Sequence, residues 1–149
     1  MEGMIIRDMN GHDLPDVHAL ETGCDPSPWS VNALQYEIDN KESILKVAVR
    51  DNDVIGYMCI RTLLDITHVM KINVLPDYRR NGIGSALLIE SLKKLRSLKS
   101  DVKHVTLEVR ASNSAAIELY NKFGFRETGN RRNYYKNPLE DGLVMQLDM

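Results

Sequence analysis

Hydrophobic and polar residues alternate with period two along parts of this chain and with helical spacing along others, and the switches divide it into short elements. Met4–Asp8 predicts a first strand. After the polar turn NGHD, Asp13 is placed to cap a helix that starts near Leu14–Pro15, where proline is tolerated, and ends near Gly23. Two prolines make Cys24–Trp29 a loop, and Ser30 opens a second helix with Val31, Leu34 and Ile38 on one face. ILKVAVR (44–50) and VIGYMCIRTLL (54–64) read as strands joined into a hairpin by Asp51-Asn52-Asp53. HVMKINVL (68–75) is a further strand, ended by Pro76-Asp77.

The period then changes. Ala86, Leu87, Ile89, Leu92, Leu95 and Leu98 line one helical face, while Glu90, Lys93, Lys94, Arg96 and Lys99 fall largely on the other, as on a solvated helix. KHVTLEVR (103–110) alternates as a strand. Ser112-Asn113-Ser114 caps a helix over AAIELYNKF that Gly124 stops, and Phe125–Arg132 and Gly142–Asp148 read as a closing antiparallel pair. The order β, α, α, β, β, β, α, β, α, β, β describes a mixed α/β sheet, not a regular βαβ alternation.

Composition narrows the class. The 149 residues predict one domain spanning 1–149, and 43% hydrophobic with 27% charged residues is a soluble globular balance. No apolar run approaches a membrane span, the start MEGMIIRDMNGHD lacks the features of a secretory signal, and a cytoplasmic location is expected. A net charge of -2 without a basic tract argues against nucleic-acid binding. Cys24 and Cys59 fit neither a zinc spacing nor a disulfide framework, and His12, His18, His68 and His104 are scattered without metal-ligand spacing, so no metal is expected.

Chemistry first shows at Arg79–Ser85, RRNGIGS, between a predicted strand and a predicted helix. Gly82 and Gly84 let the backbone turn its N–H groups toward a ligand, and the helix adds a positive dipole end, which together suit an anion. A Walker loop fails for want of a lysine after Gly84, and a dinucleotide fingerprint fails at Leu87. A glycine-eased strand-to-helix turn with no ligand remains the competing reading.

Arg79-Arg80-Asn81-Gly82-Ile83-Gly84, within VLPDYRRNGIGSALL, resembles the [R/Q]xxGx[G/A] cofactor loop of the GNAT superfamily of N-acetyltransferases. The segment LEVRASNSAAIELYNKFGF (107–125), with SPWS at 27–30 and RRNYY at 131–135, is similar to N-terminal protein acetyltransferases of the ribosomal-protein alanine type and their archaeal N-α-acetyltransferase relatives. The resemblance implies a GNAT fold, a mostly antiparallel sheet flanked by about four helices, and acetyl-CoA as cosubstrate. It places cofactor contacts on Ile72, Asn73 and Val74 and on Arg79, Arg80, Asn81, Gly82, Ile83, Gly84 and Ser85, with Asn113 and Tyr120 also contacting coenzyme A. It makes Glu108 the general base and Tyr120 the general acid, and it places Trp29, Tyr134 and Tyr135 at the acceptor peptide, RRNYY being a loop before the last strand.

Each assignment has a plainer counterpart. Glu108 is also a strand carboxylate opposite Leu107 and Val109, Tyr120 a core ring beside Ile117 and Phe123, and Asn113 a helix cap. Trp29 serves equally as a loop anchor, and the tyrosine pair as packing in a polar hairpin. The reaction joins an amine to a thioester carbonyl. At pH 7, freeing an α-amine of pKa ~7.7–8.0 costs about 1 kcal/mol and a lysine of ~10.4 about 4.6 kcal/mol, which favours a protein N-terminus, such as that of a ribosomal protein, as acceptor. A small-molecule or lysine acetyltransferase of the same fold and a non-catalytic coenzyme A-binding module are the alternatives.

Overall fold

The computed structural model describes residues 2–149. Its elements run β1 (Met4–Asp8), α1 (Leu14–Cys24), α2 (Val31–Asp39), β2 (Ser43–Arg50), β3 (Asp53–Leu63), β4 (Ile66–Val74), α3 (Ile83–Leu98), β5 (His104–Arg110), α4 (Ser114–Lys122), β6 (Arg126–Tyr135) and β7 (Glu140–Asp148), the order that the sequence predicts. The chain divides into two units, Met1–Arg61 with Met70–Ser100 and Thr62–Val69 with Asp101–Met149, so β4 contributes residues to both. Among the described residues no helix is long and apolar enough to cross a membrane.

In the first unit, β1 pairs antiparallel with β2 and β2 with β3. The β2–β3 turn has Asp51 and Asn52 at φ 51° and 68°, the left-handed pair that a two-residue hairpin turn requires and that Asp and Asn tolerate. A register shift at Ala48/Val49 sets Ala48 opposite Gly56. A Cβ on Gly56 would lie 3.2 Å from the Asn73 carbonyl oxygen and 3.4 Å from Ile83 and Leu87, so the glycine permits both β4 and α3 to approach β3 closely. Val17, Leu20, Leu34, Val47, Tyr57 and Cys59 are the centre of a buried cluster on which Trp29 and Met70 pack in part.

The second unit is built on β5, whose Val105, Leu107 and Val109 are buried and alternate with more exposed His104, Thr106, Glu108 and Arg110. The first residues of β4 run parallel to β5, with His68 opposite Thr106, and β7 runs antiparallel on the other side of β5 with β6 beyond it. Asn113 caps α4 by accepting from the Ala116 amide at 3.2 Å, and Gly124 ends the helix at φ 94°.

Three expectations need correction. Asp13 does not cap α1. Its backbone is already helical and its carboxylate accepts instead from the Asn10 amide at 2.9 Å and twice from Arg7, at 2.7 and 2.8 Å. The third strand stops at Leu63 because Leu64 turns left-handed at φ 58°, and the fourth begins at Ile66 rather than His68. RRNYY is not a loop: β6 continues through Tyr135, interrupted by an irregularity that includes Asn133 at φ 53°. The sequence predicts a strand over Phe125–Arg132, and alternation misses only its continuation to Tyr135, because nearly all residues of β6 are exposed.

Candidate active site

In the first unit β4 ends at Val74, and a tight turn at Pro76–Tyr78 leads into the glycine loop. Side chains of the loop fasten it to itself: Arg79 Nε donates to the Val74 carbonyl at 3.0 Å, and Asn81 Nδ2 donates to the carbonyls of Tyr78 and Arg79 at 3.1 and 3.2 Å. Arg80 and Gly82 are both left-handed, at φ 67° and 76°. Helix α3 starts at Ile83, one turn earlier than its apolar periodicity announces, so Gly84 and Ser85 are helical rather than loop residues. Gly82 occupies the cap position without a side chain, and the first closed amide is that of Ala86, bonded to the Gly82 carbonyl at 3.0 Å. The amides of Ile83, Gly84 and Ser85 therefore have no carbonyl of their own helix to bond, at its positive end. This donor set fits phosphate oxygens.

Along β4, Lys71 and Asn73 share one face and Ile72 and Val74 the other. The Asn73 carboxamide donates to Glu21 at 2.7 Å, so the side chain is committed within the protein. Trp29 is half-buried, its amide donates to Glu21 Oε2 at 2.9 Å, and its ring lies 5.5 Å from the Lys71 ammonium.

In the second unit the β4–β5 register brings together two residues 40 positions apart. His68 lies opposite Thr106, and Glu108 follows two residues on, on the same face of β5. His68 Nε2 stands 2.5 Å from Glu108 Oε2. Arg131 of β6 reaches to 3.7 Å from Glu108 Oε1, and the Glu108 side chain is only 9% exposed. The hydrogen bond from His68 holds this carboxyl below the ordinary glutamate range, against the opposing effect of burial and with help from Arg131. It is a carboxylate throughout the neutral range.

Tyr134 sits beside this group, with its ring under the Arg131 guanidinium at 5.3 Å and edge-on to Tyr135 at 4.9 Å. Burial and the nearby Glu108 charge raise its phenol pKa. Tyr135 is covered by Arg110 at 4.6 Å, whose guanidinium also donates to the carbonyls of Lys136 and Pro138, both at 2.9 Å. Tyr120 is 4% exposed and packs edge-on against Phe125 at 5.5 Å. Burial pushes its phenol well above the ordinary tyrosine value, and no described residue hydrogen-bonds to its hydroxyl.

A family model described as the acetyltransferase (GNAT) family matches residues 14–125, most of this chain. The chain belongs to this family. As a GNAT enzyme it is an N-acetyltransferase that uses acetyl-CoA as acyl donor. It is 37% identical over 138 residues to the ribosomal protein bS18-alanine N-acetyltransferase of Escherichia coli K12, covering 91% of this chain and 90% of that one. It is 41% identical over 116 residues to an N-alpha-acetyltransferase of Sulfurisphaera tokodaii, covering 70% and 68% of the two proteins. The crystal structure of the ribosomal-protein-S18-alanine N-acetyltransferase from Escherichia coli matches with a TM-score of 0.87 at 33% identity, over 97% of this chain and 93% of that one.

Among the residues singled out from the GNAT motifs, the structure gathers Arg79–Ser85 with the end of β4, and Glu108 with Tyr134. Asn113 acts as the helix cap that the plainer reading gives it, with its side chain exposed. Sequence reading assigns nothing to His68 or Arg131, yet both contact Glu108. Their signal is the pairing of β4 with β5 and of β6 with β7, which no local pattern encodes.

Proposed function

We propose that this enzyme acetylates the α-amino group of a protein substrate, a ribosomal protein being the leading candidate, in the cytoplasm, where such substrates and acetyl-CoA meet. The observation that carries the reading is the nearly buried Glu108 carboxylate, kept ionised by His68 and flanked by Tyr134. The similarity to the Escherichia coli alanine N-acetyltransferase over nine-tenths of the chain supports the choice of acceptor. A single-domain reading of the whole chain belongs to the same proposal.

Acetyl-CoA, when bound, supplies an activated acetyl carbonyl and a thiolate leaving group. The amides of Arg80 to Ser85 hold its pyrophosphate oxygens, Arg79 fixes the loop, and the backbone of Ile72, Asn73 and Val74 pairs with its arm, because the Asn73 side chain is already engaged. Asn113 and Tyr120 complete the cofactor contacts. As the amine nitrogen bonds to the acetyl carbon, Glu108 takes up the proton that nitrogen sheds, directly or through one water. The C–S bond then breaks, and Tyr120, kept protonated by its burial, gives its hydroxyl proton to the departing sulfur. Trp29, Tyr134 and Tyr135 receive the first residues of the acceptor.

The test is acetyl transfer to peptides beginning Ala, Ser, Thr, Met-Glu and Met-Leu, with an N-blocked lysine peptide and a polyamine as controls. At pH 7 a lysine has about 500-fold less free amine than an α-amine of pKa ~7.7, so at least one N-terminal peptide should exceed both controls by more than about tenfold in kcat/KM. Faster acetylation of the blocked peptide or the polyamine counts against the proposal.

Gly142 gives a second, structural test of the tyrosine assignment. It lies in register between Arg110 and Arg131, and a Cβ there would come within 3.0 Å of Tyr134 Cδ2. Gly142→Ala therefore pushes the Tyr134 ring aside and should raise the peptide KM by about three- to tenfold, with the acetyl-CoA KM unchanged. An unaltered peptide KM would remove Tyr134 from the acceptor site.

A further inference from the structure

The loop between α1 and α2 contains Pro26 and Pro28, which have no N–H, and the amides of Asp25, Ser27 and Trp29, between α1 and the Ser30 cap of α2, are each used. Asp25 N donates to the Glu21 carbonyl at 2.9 Å, Ser27 N to Asp25 Oδ1 at 2.9 Å, and Trp29 N to Glu21 Oε2 at 2.9 Å. Glu21 is fully buried and accepts further bonds from Tyr57 Oη and Asn73 Nδ2, both at 2.7 Å, while Lys71 Nζ stands 2.9 Å from it.

Lys71 does more than neutralise that buried carboxylate. Its ammonium also donates to Asp25 Oδ2 at 2.7 Å and to the Ser27 carbonyl at 3.4 Å, and it lies 5.5 Å from the Trp29 ring. All three of its hydrogens thus have acceptors, two of them in the loop itself. A lysine serving only Glu21 has no need to reach Asp25, Ser27 and Trp29.

We propose that Lys71 and Asp25 are positioning residues that clamp the α1–α2 loop onto β4 and fix Trp29 as one wall of the pocket for the acceptor's first residue. The inference rests on the N-α-acetyltransferase reading and on Trp29 at the peptide. A clamped wall discriminates by fit, whereas a released one adapts to larger first residues and binds all of them less well.

The experiment compares Asp25→Asn, Lys71→Met and the double variant of the full chain on peptides beginning Ala and Met-Leu. Asp25→Asn leaves all four of Glu21's partners in place, so it tests the clamp even where Lys71→Met folds poorly. Expected are a peptide KM raised by about fivefold or more, a preference between the two peptides reduced by about threefold, and an acetyl-CoA KM within about twofold of wild type. The double variant should match Lys71→Met alone, since both changes release one clamp. The Asp25→Asn melting temperature should fall by less than about 5 °C, which separates positioning from a loss of fold. If the wild type acetylates peptides and both single variants keep its peptide KM and preference, the clamp is overturned alone. A wild type that acetylates no peptide α-amine overturns the underlying reading and the clamp with it.

Discussion

Glu108→Gln should lower kcat by about 10²–10⁴-fold while leaving acetyl-CoA binding within about twofold. Glutamine keeps the size of the side chain and an oxygen for His68, but loses the charge and the proton acceptor. The pH profile adds an independent check. Glu108 is held below the ordinary carboxylate range, so it does not titrate near neutrality. The acid limb of kcat/KM should instead follow the acceptor amine at ~7.7–8.0. Stability carries the same sign. A carboxylate with a depressed folded pKa stabilises the protein above its unfolded pKa, and that contribution disappears as pH falls through the folded value. Acid unfolding of Glu108→Gln should therefore be less steep than that of wild type below about pH 4.5. Full activity in this variant would take the base role away from Glu108.

Tyr120→Phe should reduce kcat by about 10²-fold with little change in melting temperature. The ring keeps its edge-on contact with Phe125, and the hydroxyl that is lost has no hydrogen bond from a described residue to forfeit. Because burial raises the phenol pKa, the wild-type rate should show no alkaline decline from this group through the ordinary tyrosine range. Single-turnover measurement at saturating acetyl-CoA isolates the effect from binding. A variant with wild-type turnover but a lowered melting temperature would make Tyr120 a core residue and nothing more.

What the sequence made legible was local. Ser30 and Asn113 cap helices as their spacing predicts, accepting from Ala33 and Ala116, and Asp51-Asn52 forms the tight turn that its composition announces. The glycine loop's shape was readable because it resides in a short run of backbone, left-handed at Gly82 where helix α3 begins. Long-range partners were not. Asp13 has the residue type of a cap, but Arg7 on the preceding strand takes its carboxylate. His68 carries no sign of Glu108, because their contact depends on a parallel register between strands separated by a helix. RRNYY hid the far end of a strand read only as far as Arg132, since an exposed segment has no buried face to impose alternation. Gly142 reads only as the first residue of the last strand, although its structural use is the space it leaves for Tyr134.

The buried Glu21 also constrains how this protein can diverge. Its four partners come from Trp29, Tyr57, Lys71 and Asn73, three of them through side chains. Removing one member of a buried charged pair costs about 3–5 kcal/mol, a large share of the ~5–15 kcal/mol that keeps a domain folded. Replacing Glu21 alone strands a phenol, a carboxamide and the Trp29 amide at once and leaves Lys71 with Asp25 as its remaining counter-charge, whereas replacing the polar side chains together by apolar residues is tolerable. Drift at positions 21, 57, 71 and 73 is therefore expected to proceed jointly, so that descendants inherit the cluster whole or lose it whole.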